Sequence, residues 1–395
     1  MRPTWIVLGL VVGLGAVAYV KLRERADAPP LAKSPAAVVK AGEGAAGAGE
    51  DAAGARKAVE PAGEAPPLAK SAGAPSSLPP EEAAAAEVRT QVDARRRAGD
   101  GAAADLLEKR LDGELAETAE ARRHALERGT ALAKEALRED RPLDARVPLA
   151  DRARRDLSRA LSLPELFDAA GAPTEERARL VATIATLNAT VYTWRGTLPG
   201  VTTAYEVKPG DSPVRIVSRE KLPYGPNVLL FWNHGGNLDP SRLRAGERLV
   251  LPTEALEVRV DRARHRMGLY VGGVLVKELA VGVGKPSTPT YPGVYEVKDK
   301  YLNPDWHVPP ELLRPGDARV VPYGDPRNEL GDAWIPISSV EHPTGYGIHG
   351  TNKPDTVGTD CSNGCVRLRN PEAVEMTGWV RTGKNEGPAT RVVIR

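Results

Sequence analysis

Cysteine is almost missing from this chain of 395 residues, which has only Cys361 and Cys365. A pair four positions apart cannot make a disulfide framework, and it suits a reactive thiol with a neighbour. An excess of one charge is lacking too. Lys and Arg total 54 against 52 Asp and Glu, a net charge of +2, so nothing argues for a nucleic-acid partner held through counterion release. No period of 20–50 residues recurs, which excludes a helical-repeat array. Long apolar runs are absent apart from residues 5–20, and those sixteen uncharged positions fall short of the ~20 that span a bilayer. What the chain does have is glycine and proline, 39 and 35 of them, and a length that calls for two or three ordered units.

Residues 1–25 read as a membrane anchor or a signal segment. Arg2 precedes the apolar run and Lys21, Arg23 and Arg25 follow it, while Ala16-Val17-Ala18 fits a small-x-small cleavage site. Both readings export the protein. An inner-membrane tether through residues 5–20, facing the periplasm and cell envelope, is the expectation. Residues 26–80 hold nine Pro and seven Gly and few large apolar residues, too little to offset the entropy of ordering. This linker would span about 40 Å r.m.s. as a flexible coil.

A helical region is expected over 81–195. Leu107, Leu111 and Leu115 recur every four residues, and Pro142, Pro148 and Pro164 punctuate the run. The clearest helix starts at the N-cap Thr174, with Glu175 and Glu176 in its first turn and Leu180, Val181, Ile184, Leu187 and Val191 on its apolar face. A small bundle or hairpin packed against the rest is predicted, its charged residues forming solvated faces.

Residues 204–252 open on a short strand, turn at Pro209-Gly210-Asp211, pass through two helical stretches and close on a strand from Arg248. Tyr205, Val207, Gly210 and Asp211, then Asn233 before the second helix, then Leu243, Gly246, Leu249 and Pro252 make a pattern that resembles the LysM module. Ser212-Pro213 and the insert Tyr224-Gly225-Pro226 depart from that pattern. The resemblance implies a grip on N-acetylglucosamine-containing glycan strands through the turn after Gly210 and the segment before Arg248. His234 reads as a surface or satisfied residue.

From 255 to 395 the periodicity switches to two. Leu256, Val258 and Val260 alternate with Glu257, Arg259 and Asp261, and short strands follow between Gly and Pro turns, which predicts a β-sandwich or a partly closed barrel. Near the end stands His349-Gly350-Thr351, then Ser362-Asn363-Gly364-Cys365-Val366-Arg367. A histidine and a cysteine on a tight turn with exposed backbone N–H groups are what covalent acyl transfer requires. A thiolate beside an imidazolium would have a lowered pKa.

With Gly284-Lys285-Pro286, Thr288-Pro289-Thr290 and Asn328-Glu329-Leu330-Gly331 upstream, this stretch resembles the YkuD-type L,D-transpeptidase signature. The resemblance implies Cys365 as nucleophile, His349 as base and the Gly350 carbonyl as its orienting group. Backbone N–H groups around Asn363, Gly364 and Cys365 would form the oxyanion hole. Arg367, Asn363, Ser362 and Tyr346 would contact the substrate. Asn363 stands where the family often has a second histidine. The substrate class implied is peptidoglycan stem peptides, with glycan strands as a further partner and no cofactor or metal.

Other readings of these residues are a Cys361–Cys365 disulfide, a zinc site adding His342, a thiol L,D-carboxypeptidase that uses water as acceptor, and a non-catalytic wall anchor. His265 and His307 read as ordinary surface or strand residues, although His307 could line a cleft. No feature assigns an oligomeric state.

Overall fold

The computed structural model describes residues 78–342, 345–384 and 387–395. The anchor at 1–25 and nearly all of the linker at 26–80 lie outside the described residues. Among the described residues no helix is long and apolar enough to cross a membrane.

Five helices come first: α1 (Pro80–Arg97), α2 (Gly101–Asp112), α3 (Ala119–Ala136), α4 (Leu143–Ala160) and α5 (Glu175–Thr193). Side-chain caps start three of them. Asp100, Thr118 and Thr174 each accept the N–H three residues on. Pro148 does not break the chain as expected but sits inside α4. The charged faces also differ from expectation. Arg154 is fully buried, and Asp151, Asp156, Glu108 and Arg177 are nearly so. Each is buried because it is paired. Asp151 takes the Arg154 Nε, Asn188 Oδ1 takes its Nη1 at 3.1 Å, and the guanidinium lies 4.8 Å from the Trp232 ring centroid.

A β-α-α-β unit follows, of β1 (Thr202–Glu206), α6 (Pro213–Arg219), α7 (Pro226–Asn233) and β2 (Arg248–Pro252), with β1 and β2 antiparallel. The spacing of its opening turn has a visible cause: Asp211 accepts from the Tyr205 hydroxyl at 2.6 Å and from the Lys208 N–H at 2.9 Å. Asn233 does not precede the second helix; it ends it. Its carboxamide joins α7 to β2, exchanging hydrogen bonds of 2.9 and 2.7 Å with the Val250 backbone. His234 is half-buried, with its imidazole turned inward, and reaches Glu247 at 3.0 Å.

The remaining chain forms β3 (Leu256–Asp261), β4 (Arg266–Val271), β5 (Val274–Ala280), β6 (Val283–Gly284), β7 (Gly293–Val297), β8 (Tyr301–Leu302), β9 (Trp306–His307), β10 (Val320–Val321), β11 (Ala333–Ser338), β12 (Tyr346–His349), β13 (Asp360–Ser362), β14 (Val366–Arg367), α8 (Asn370–Trp379) and β15 (Arg391–Ile394). Nine strands make one sheet in the order β14-β12-β11-β7-β15-β3-β4-β5, with β8 added beside β11. Leu256, Val258 and Val260 point into the core, as their alternation predicts.

Of the two architectures expected, the partly closed one forms and the sandwich does not. Chain leaving β5 at one edge returns to β14 at the other, where Gly282 and Arg367 exchange backbone hydrogen bonds of 2.9 and 2.8 Å. A single curled sheet results.

The outer edge of β5 is covered by the helices. Ser158 Oγ on α4 accepts the Leu275 N–H at 3.0 Å, and Asn188 Nδ2 on α5 donates to the Leu275 carbonyl at 3.0 Å. Two buried side chains thus stand in for a missing strand, and they protect the edge from pairing elsewhere. The β-α-α-β unit docks on α8 through the insert that looked unusual in sequence. The Gly225 N–H donates to the Trp379 carbonyl at 2.8 Å, so close that any Cβ there would meet the Gly378 oxygen at 2.3 Å. One continuous apolar core runs through α3–α5, the β-α-α-β unit and the sheet.

Candidate active site

Strands β12 and β14 run parallel, with His349 opposite Arg367 and Ile348 opposite Val366. This register brings Cys365, one residue before β14, level with Gly347. The sulfur donates to the Gly345 carbonyl at 3.7 Å and receives the Gly347 N–H. Gly347 has to lack a side chain, since a Cβ would strike the Trp334 ring at 2.2 Å.

His349 closes β12, and its Nδ1 lies 2.6 Å from the Gly350 carbonyl oxygen. A carbonyl only accepts, so Nδ1 carries the proton and Nε2 is left as the basic nitrogen. Gly350 is in turn pinned by helix α8. Asn370 Oδ1 accepts the Thr351 N–H at 2.8 Å and would lie 2.2 Å from any Cβ on Gly350.

The turn before Cys365 is held from both sides. Ser362 Oγ accepts the Gly364 N–H at 3.1 Å and donates to the Cys365 carbonyl at 2.6 Å. Thr290 Oγ1 donates to the Gly364 carbonyl at 2.7 Å, and the Lys285 N–H donates to the Ser362 carbonyl at 3.0 Å. The Gly-Lys and Thr-Pro-Thr runs are therefore a brace for this turn. With the carbonyls of 362, 364 and 365 turned into the protein, the N–H groups of Asn363 and Cys365 meet no protein acceptor among the described residues. The Gly364 N–H, expected as a third free donor, is taken by Ser362. Ser362 is likewise occupied by the turn it shapes.

Both titratable groups rest neutral. Burial pushes the His349 imidazole down to about 3, reinforced by the Arg367 charge and opposed by the Gly350 and Glu329 backbone. Cys365 is half-buried, yet the protein packed around its sulfur desolvates the thiolate and pushes the thiol up to about 11, against the Gly347 N–H and Arg367. The lowered thiol pKa expected from a neighbouring imidazolium is thus not what forms. No hydrogen bond joins Sγ to His349 among the described residues; the thiol donates to the Gly345 carbonyl instead. At pH 8 only about one thiol in a thousand would be ionised, against roughly a quarter of a free cysteine. Iodoacetamide is therefore expected to alkylate Cys365 of the resting protein on the order of 100-fold more slowly than free cysteine. The rate should climb from pH 9 to 11 when the label is mapped by fragment-ion spectrometry. Fast labelling with a midpoint near pH 7 would contradict the neutral resting pair.

Cys365, His349, Asn363, Arg367 and Ser362 share the wall of one cavity of about 830 Å³ with Trp334 and Glu329. Residues 301–312 form its other wall, and Trp306 and His307 belong to it. Arg367 is buried with its Nη2 at 2.6 Å from Glu329, which Lys353 also approaches at 3.5 Å. Tyr346 does not line this cavity. Its ring packs on Gly364 and joins a cluster with Tyr291, Tyr295 and His342. His265 lies apart, against Asp360 at 2.8 Å. Both cysteines are free. Cys361 sits on β13 one position before Ser362 and so faces away from the cavity, its sulfur against Gly282. That alternation separates the two thiols and rules out the short disulfide.

Comparison with known proteins agrees with this region. A family model described as the L,D-transpeptidase catalytic domain matches residues 256–394. The L,D-transpeptidase YkuD of Bacillus licheniformis is 28% identical over 185 residues, 45% of this chain and 94% of that one. The L,D-transpeptidase YqjB of Bacillus subtilis is 30% identical over 139 residues, 35% of this chain and 69% of that one. The chain belongs to the L,D-transpeptidase family.

Among solved structures, the catalytic domain of the Enterococcus faecium L,D-transpeptidase aligns with 36% of this chain and 98% of its own, at 26% identity and a TM-score of 0.25. L,D-transpeptidases act on peptidoglycan stem peptides. Within this L,D-transpeptidase domain, sequence reasoning missed three contributors. The Gly347 N–H has no side-chain signature at all. Asn370 acts from a helix that starts twenty-one residues after His349 (370 − 349), and Glu329 was read only as part of a supporting run, not as the partner of Arg367.

Proposed function

We propose that this chain is an exported peptidoglycan L,D-transpeptidase that works through a thioacyl intermediate on Cys365. The single observation that carries the reading is one cavity wall holding the Cys365 thiol, the oriented His349 imidazole and the unclaimed N–H groups of Asn363 and Cys365. Because thiol and imidazole rest neutral, the proton moves as the bond forms. Sγ attacks the amide carbon between the L-centre of the stem's diamino acid and the D-residue that follows. Nε2 of His349 takes the thiol proton, and the carbonyl oxygen becomes an oxyanion facing the two N–H groups. The tetrahedral carbon then expels the D-amino acid, whose nitrogen takes the proton from the imidazolium. The amine of a second stem attacks the thioester, gives its proton to Nε2 and displaces the thiolate, which is reprotonated.

Burying the pair keeps water from competing and makes the thiol inert until a substrate is seated. Arg367, neutralised by Glu329, would hold the wall of the peptide site. The β-α-α-β unit at 202–252 is the proposed LysM module, which would raise the local concentration of stems by holding the glycan. Residues 5–20 would tether the enzyme to the inner membrane on the side of the wall.

The test uses a tetrapeptide stem and analysis of products by chromatography and mass spectrometry. Wild type should release the terminal D-amino acid and form cross-linked dimer. Cys365→Ala should do neither, and a carbapenem should acylate wild type alone. Identical product profiles for the two proteins would sink the assignment.

A further inference from the structure

A second site lies away from the thiol, where α3–α5 and the loops beside them meet β3 and β4. Seven arginines line a cavity of about 140 Å³ there, with three side-chain carboxylates, Glu117, Asp261 and Glu278. The carboxylates are shared out thinly. Arg177 and Arg266 both bind Glu278, Arg122 and Arg395 both bind Glu117, and Arg264 binds Asp261. The two remaining cations reach outside the cavity, and the acids they find are already claimed. Arg159 shares Asp112 with Arg128, and Arg259 shares Glu257 with Arg391. Positive charge is left over. In addition, the Arg159 Nε is buried with no acceptor among the described residues.

These guanidiniums are held in place before any ligand arrives. Arg264 and Arg177 flank the Phe167 ring at 3.9 and 4.9 Å from its centroid. Arg259 lies 4.2 Å from the Tyr270 centroid, and that ring occupies the space a Cβ on Gly268 would fill, at 2.5 Å. Stacking fixes the planes of the forks and leaves their N–H edges to converge. A monocarboxylate adds one charge and two oxygens, which the resident acids already supply. A phosphoryl group brings more charge and three oxygens and suits several forks at once.

We propose that this cavity is a binding site for a phosphoryl group, independent of the thiol site and of its substrate. Free phosphate and a phosphomonoester share that chemistry; a phosphodiester, with one charge and two unesterified oxygens like a carboxylate, does not.

The experiment uses the full chain at fixed ionic strength. Inorganic phosphate, glycerol phosphate and glycerophosphoglycerol are titrated in turn by calorimetry, with acetate and chloride as controls. Phenylglyoxal labelling of wild type, mapped by mass spectrometry, reports the arginines directly. Saturable binding is expected, with protection of Arg259 and Arg264 by a phosphate compound and not by the controls. Phosphate and glycerol phosphate, which can carry a second negative charge, should bind more tightly than the diester glycerophosphoglycerol; binding of the diester as tight as theirs would overturn the preference for a group with three free oxygens. Arg264→Gln should weaken binding about tenfold or more, the loss of a charge-assisted contact, while stem-peptide turnover stays at the wild-type rate. Equal protection by acetate, or no saturation with any phosphate compound on wild type, would overturn the proposal whether or not the variant folds.

Discussion

His349→Gln is expected to slow thioacyl formation by about 1000-fold, within the usual range for losing a positioned general base. Glutamine keeps a polar side chain of similar reach but has no nitrogen that can take the thiol proton at Nε2. The loss should fall on kcat more than on KM, because the imidazole is buried beside the thiol and needed for proton transfer more than for binding. The same variant has a second signature. His349 folds with its pKa lowered to about 3, while an unfolded histidine titrates near 6.5. Between those values the unfolded chain binds the proton and the folded one does not, so stability is present above about pH 6.5 and is lost as pH falls toward 3. That slope is worth at most about 5 kcal/mol. It should be shallower in His349→Gln when urea unfolding is followed from pH 7 to pH 4. An equal slope in both proteins would mean that the imidazole is solvated after all.

Asp151→Ala is expected to cost about 3–5 kcal/mol of stability by leaving Arg154 charged in the interior. Arg154 has no exposed surface, and Asp151 takes its Nε, while the other Asp151 oxygen takes Arg155 at 3.0 Å. Replacing Asp151 and Arg154 together with apolar residues should be milder than Asp151→Ala alone, since no stranded charge remains. A double-mutant cycle by denaturant unfolding measures the difference. A loss below about 1 kcal/mol for the single change would contradict the burial of this network. The result bears on organisation. Arg154 and Asn188 lie where the helices meet β5, so the helical region and the L,D-transpeptidase sheet should unfold in one transition.

How much of this was legible in the sequence depended on whether the signal was local. Thr174 followed by two glutamates marked a cap, and the alternation of Leu256, Val258 and Val260 marked a strand with one buried face. The spacing of His349 and Cys365 identified the thiol region because both residues lie in the one continuous stretch that runs from β12 through β13 to the start of β14. Signals that depended on distant partners were lost. The charges of α4 looked solvated because nothing nearby in sequence shows that Asn188 and Trp232 will surround Arg154. Pro148 looked like a break because its cost is local, whereas the packing that tolerates it is not. The resting thiol was misjudged for a related reason. A neighbouring imidazole lowers a thiol pKa only when it is itself charged, and burial keeps His349 neutral. Nothing in a motif reports burial.

The central claim is that Cys365 carries the acyl group. It is tested most directly by acid-quenching wild type during turnover of a tetrapeptide stem and weighing the intact protein. The account predicts a gain equal to the stem minus its terminal D-amino acid, located by fragmentation on Cys365 and not on Cys361. Cross-linked product formed with no such adduct at any quench time, or an adduct on another residue, would contradict it.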